Sequence, residues 1–141
     1  MHARFSSHAQ LLAFPIDHYQ GKLATSELRA FHIPDLGDRD PDNLNVDVTV
    51  ELSRGRPYIA TFFTVQNAQE LIRLDHPALG KPALPPEGLR AVESGQKVYG
   101  INSRDKNVFI QEITPDNVKR AIYQIIQDGL FFQAFEPCAL G

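Results

Sequence analysis

A single cysteine, Cys138, stands in a chain of 141 residues. No internal disulfide can form, and a thiolate zinc cluster is excluded. One thiol fits a reducing compartment. Basic residues are the minority, 14 Lys and Arg against 17 Asp and Glu, for a formal net charge of −3. That balance weighs against a phosphate-backbone binder, which needs a basic excess or stripe. No apolar run approaches the ~20 residues that span a bilayer. The piece "LLAFPI" near the N-terminus is too short for the apolar region of a secretory signal and contains a proline. The expectation is a cytoplasmic protein with no membrane or nucleic-acid partner.

Chemistry-bearing motifs are scarce too. The histidines are His2, His8, His18, His32 and His76, and no two have H-x-x-x-H spacing. There is no Ser inside G-x-S-x-G and no Gly-rich phosphate loop of either common type. Cys138, in "FEPCALG", has nothing local to activate a thiolate. His32, between Phe31 and Ile33, reads as a satisfied strand histidine rather than a ligand. No catalytic residue, metal site or cofactor is therefore assigned.

What remains is a globular composition, 43% hydrophobic and 22% charged. A chain this long buries about two-thirds of its unfolded surface, so it folds without a staple. The reading is one domain over 1–141. Residues 1–22 form an N-terminal segment, and 23–76 a first ββα-like half. Residues 77–96 are a Pro/Gly-rich connection, and 97–141 a second ββα half with a tail.

In the first half, Val46, Val48, Val50 and Leu52 alternate with Asp47, Thr49 and Glu51. Period two with β-branched residues predicts a strand with one dry and one wet face. "SRGR" supplies a turn, and "YIATFF" a second strand. Asn67 and Glu70 have the spacing of a capping box, which would start a short helix ended by Pro77. Upstream, "KLATSELRAFHIP" is read as a strand, with a short helix as its alternative. Residues 77–96 can hold at most a single turn, at "PPEGLRAVES".

In the second half, "VYGI" and "VFIQEI" flank the polar turn "NSRDKN". Thr114, Pro115 and Asp116 mark a helix start, and Gly129 its end. Val118, Ala121, Ile122, Ile125 and Ile126 form one apolar stripe. Aligned on Thr64 and Thr114, the two halves match, Asn67 with Asn117 and Ile72 with Ile122. The fold class follows: α+β, an antiparallel sheet of about five strands with two main helices on one face. The match of the halves reads either as two ββα units or as the look that any capped helix after a strand has.

The stretch "DLGDRDPDNLNVDV" carries the sharpest functional question. Asp38, Asp40 and Asp42 have the D-x-D-x-D spacing that opens a calcium loop. The pattern then fails, with Asn43 at the position of the turn glycine and Thr49 where a bidentate glutamate is needed. A turn-rich loop is the simpler account. Residues 35–51 hold six acids against one base, Arg39. A local charge of that size draws a basic partner.

"LFFQAF" adds Phe131, Phe132 and Phe135, read either as core or as an anchor for a second chain, including a homodimer. The leading functional reading is a non-enzymatic protein-binding or neutralising protein of the immunity, antitoxin or inhibitor kind. Its partner would be another, basic protein, occluded with Asp38, Asp40 and Asp42 at the rim and the aromatic residues as anchor. The alternatives are a small-ligand or sensory module and an enzyme whose site forms only in three dimensions. A defined apolar pocket under 77–96 would favour the first alternative. A buried His–carboxylate cleft, for example His32 with Arg29 and Glu27, would favour the second.

Overall fold

Alternation along residues 46–52 produces the strand it predicts. The computed structural model describes residues 23–74 and 88–139. In it, β1 (Leu28–His32), β2 (Asn45–Leu52) and β3 (Tyr58–Thr64) form an antiparallel meander. Helix α1 (Val65–Arg73) follows β3 without a break, and α2 (Leu89–Glu93) precedes a tight hairpin of β4 (Gly100–Asn102) and β5 (Asn107–Ile110). Helix α3 (Pro115–Gln127), the short α4 (Phe131–Ala134) and the two-residue β6 (Glu136–Pro137) complete the described chain. The strand read in "KLATSELRAFHIP" forms as β1, and of the alternative helix there is only a three-residue 3-10 turn at Thr25–Glu27 before it.

The strand order is β1-β2-β3-β5-β4, with β6 also on β3. The sheet is mixed, which corrects the antiparallel expectation. β3 and β5 run parallel, Thr61 to Thr64 beside Asn107 to Ile110. The physical reason is the order of the second hairpin. Its first strand, β4, runs opposite to β3 and lies outermost, and its second strand, β5, is the one set against β3, so that pair is parallel. β2 occupies one edge of β3, so β6 and β5 share the other, β6 at Tyr58 and Ile59 and β5 further along.

The two main helices do not share a face. Phe62, Val108 and Ile110 pack with α3, through Val118, Ala121, Ile122, Ile125 and Ile126. Their chain neighbours Phe63 and Phe109 point the other way, onto Val65 and Ala68 of α1 and Leu89 and Val92 of α2. All four residues of β5 are buried. A strand that is apolar on both sides needs cover on both sides, as central parallel strands do. The α3 stripe is fully buried, and trimming Ile122 to Ala is expected to cost about 2–5 kcal/mol.

Both helix starts use the same device. Thr64 Oγ1 accepts from the amide of Asn67 at 3.1 Å, and Thr114 Oγ1 from that of Asn117 at 3.2 Å. The N-cap of α1 is thus Thr64, three residues before the Asn67 expected from the capping-box pattern. The strand–strand–helix order does occur twice, but Gln111–Thr114 separate β5 from α3, whereas Val65 follows Thr64 directly. That longer connection carries α3 to the opposite face. Helix α3 ends as predicted. Gly129 has φ +75°, its amide donates to Ile126 O, and the Leu130 amide donates to Ile125 O. This pair of bonds is a Schellman closure.

Candidate protein-binding surface

Two neighbouring parallel strands that end in helices on opposite faces leave a crevice at their carboxyl ends. In open sheets that crevice is where ligands bind. Here the chain itself bridges it. The amide of Thr64 donates to Leu44 O at 3.1 Å, and the amide of Leu44 donates back to Thr64 Oγ1 at 3.3 Å. On the β5 side, the Ile113 amide donates to Pro41 O at 2.8 Å. Asn67 joins the same structure through its side chain. Its Nδ2 donates to Asn43 Oδ1 at 3.1 Å, and its Oδ1 accepts from Asn45 Nδ2 at 2.8 Å. Residues 41–45 are therefore fastened to both strand ends, and Leu44 is buried in the main core.

Asp35, Asp38 and Asp40 precede this anchorage, and Asp42 lies within it. Asp35, Asp38, Asp40 and Asp42 are all exposed. Two of them shape the loop. Asp35 Oδ1 accepts from the Gly37 amide at 3.0 Å, and Asp40 Oδ1 from the Asp42 amide at 2.9 Å. These are Asx turns, the reason Asp recurs in tight loops. Backbone bonds from Arg39 to Leu36 O and from Asn43 to Asp40 O close two further turns. Half-buried Leu36 and Ile33 pack against the core beneath. The result is a rigid loop with carboxylates outward. Among the described residues, no group of three or more His, Cys, Asp or Glu side chains is arranged to hold a metal ion. Within the D-x-D-x-D stretch, Asp40 makes an Asx turn.

The wet face of β2 carries more acid. Asp47 accepts from Thr61 Oγ1 at 2.9 Å, and Glu51 Oε2 lies 2.5 Å from His32 Nε2. That His–carboxylate pair lies on an open sheet face, with the two side chains 58% and 29% exposed. It is therefore not the buried His–carboxylate cleft that would favour the enzyme reading. The grouping of His32 with Arg29 and Glu27 does not form, because His32 turns to Glu51 and Glu27 accepts a hydrogen bond from Ser53 Oγ.

The aromatic anchor takes the other of its two readings. Phe131 and Phe135 are each 1% exposed and stack at 4.6 Å between ring centroids. Half-buried Phe132 packs edge-on to Phe131 and Tyr58. α4 and β6 fold this segment back onto the sheet, so Phe131 and Phe135 offer no surface to a partner. Cys138 is half-buried and its thiol is pushed up, mainly by burial, with Arg56 opposing and Glu136 adding. A raised thiol is a poor nucleophile at neutral pH. His2, His8, His18 and His76 lie outside the described residues.

Sequence reasoning missed two features of the structure, one in this region and one at the far edge of the sheet. One is the Asn43–Asn67–Asn45 bridge, in which the Asn67 side chain ties the loop rather than capping the helix. The other is the bond from Tyr99 Oη to Asp128 Oδ2 at 2.5 Å, made between residues 29 apart. Among the described residues, no helix is long and apolar enough to cross a membrane. No family model, curated protein or solved structure matches this chain.

Proposed function

We propose that this chain is a non-enzymatic protein-binding protein of the immunity, antitoxin or inhibitor type, which occludes a basic partner. The observation that supports this reading is the anchored loop. The crevice that would receive a small ligand is bridged by residues 41–45, and the same anchorage holds Asp38, Asp40 and Asp42 outward in a fixed geometry. A loop already held in its final shape loses little entropy on binding. Clustered carboxylates at an interface rim speed encounter and select for cationic surfaces. Asp47 and Glu51 extend the charge along β2. Phe131 and Phe135 are not part of the proposed interface.

The test is affinity capture from the native lysate, with the tagged wild-type chain beside D38N/D40N/D42N. The expected result is a stoichiometric partner on the wild type at low salt, released at high salt and absent from the variant. Capture of the same protein by both, or of nothing by either, overturns the reading.

A further inference from the structure

Away from the acidic loop, at the outer edge of β4, a cleft of about 220 Å3 opens between α2, β4 and α4. Its lining includes Gly88, Ala91, Lys97, Tyr99, Gly100 and Ser103. Three features make it a built site.

The first is a floor of bare backbone. Gly88 has φ +85°, and a Cβ there would lie 2.4 Å from Ile101 N. A Cβ on Gly100 would lie 2.0 Å from Gly88 O. Neither position can carry a side chain, because the turn at Gly88 and strand β4 pack backbone against backbone there. Both glycines line the cleft, which therefore has a rigid backbone wall on that side.

The second is a fixed wall. Tyr99 is 5% exposed and its hydroxyl is held by Asp128. That bond fixes the ring in the wall of the cleft and commits the hydroxyl proton.

The third is the charge. Among the described residues no carboxylate lines the cleft, whereas Lys97 does. The Lys97 amide donates to Ala91 O at 3.2 Å, which seats the lysine against α2. Its ammonium has no ion pair among the described residues. Ser103 adds a hydroxyl.

We propose that this cleft binds a small carboxylate with an apolar body, the body against Tyr99 and Ala91 and the carboxylate on Lys97 and Ser103. The volume lies below the ~300 Å3 at which drug-sized pockets begin, so the ligand is a small metabolite-sized acid rather than a nucleotide. Such a site is separate from the acidic loop and stands independently of the protein-binding reading.

The experiment titrates benzoate into the isotope-labelled full chain and follows backbone amides by NMR, with benzamide as the uncharged control. Saturable shifts at Gly88, Gly100, Ile101 and Ser103 are expected, with benzamide clearly weaker. K97Q should weaken benzoate about tenfold, the loss of one charge-assisted hydrogen bond. A91L should fill the cleft and abolish the shifts while the rest of the spectrum stays dispersed. If A91L does not fold, K97Q alone decides. No saturable shift at these amides, or equal benzoate affinity in the wild type and K97Q, overturns the proposal.

Discussion

The amide of Ile113 donates to the carbonyl of Pro41 across 2.8 Å, so the loop bearing Asp38, Asp40 and Asp42 is tied to the segment that leads into α3. A loop of that composition, left untied, would be a floppy acidic connection. Tied at Pro41, Leu44 and Asn43, it becomes a shaped surface.

If the aspartates serve recognition and not folding, removing their charge leaves the fold alone. D38N/D40N/D42N should shift stability by no more than about 0.5 kcal/mol per site, as exposed substitutions do. Asn at position 40 keeps an Oδ1 to accept the Asp42 amide, so the Asx turn survives. Thermal unfolding of the variant checks this. A collapse in melting temperature would mean that the carboxylates hold the loop together.

The anchorage itself can be loosened from the other side. Asn67→Ala removes the bonds to Asn43 and Asn45 but keeps the backbone bond to Thr64. The expected loss is about 1–2 kcal/mol, because the freed carboxamides are partly rehydrated. Urea unfolding should show a lower midpoint with an unchanged slope. Hydrogen exchange at the Leu44 amide should quicken. An unchanged Leu44 amide would show that Asn67 plays no part in fastening the loop.

Much of this architecture was legible in local pattern. The 46–63 hairpin follows from alternation in Val46 to Leu52, and α3 from Thr114, Pro115, its apolar stripe and Gly129. These signals are short-range, and the sequence states them directly. The facing of the helices was not legible in that way. It depends on β5 lying beside β3, a long-range pairing that the hairpin read by itself does not reveal. Even so, "VFI" and "FF" held the clue, since consecutive large apolar residues in a strand demand cover on both sides. The bridged crevice was invisible because its bonds join Pro41 to Ile113 and Leu44 to Thr64, across pairings that exist only once the sheet is assembled.

Gly88 and Gly100 make the sharpest test of the packing at the β4 edge. A methyl group at either meets backbone, not a flexible side chain. Gly100→Ala should cost about 1–3 kcal/mol or more, the range for overpacking. Gly88→Ala should cost more still, since its positive φ adds ~1–2 kcal/mol of strain. Gly95→Ala is the control. It shares the positive φ but has open space around it, so it should show the strain alone. Thermal unfolding should rank the losses, largest first, as Gly88→Ala, Gly100→Ala and Gly95→Ala.

The Tyr99–Asp128 bond predicts a pH dependence. Burial, reinforced by the Asp128 carboxylate, pushes the Tyr99 phenol above its ordinary value. The unfolded chain ionises at about pH 10, before the folded chain does. Above that pH the unfolded state holds fewer protons, so stability falls as pH rises. The contribution is complete below about pH 10 and is lost progressively above it. Tyr99→Phe should lower stability at neutral pH by about 1–2 kcal/mol and flatten the alkaline decline. Urea unfolding of both proteins at neutral and alkaline pH gives the comparison. Parallel declines would place the titrating group elsewhere.

The most direct measurement for the central claim is the affinity of the captured partner for the wild type and for D38N/D40N/D42N, across a range of salt concentrations. Binding through the anchored acidic loop predicts an affinity that falls steeply with salt in the wild type. The variant should bind about tenfold or more weakly, with a flatter salt dependence. Equal affinity and equal salt dependence for the two proteins would contradict it.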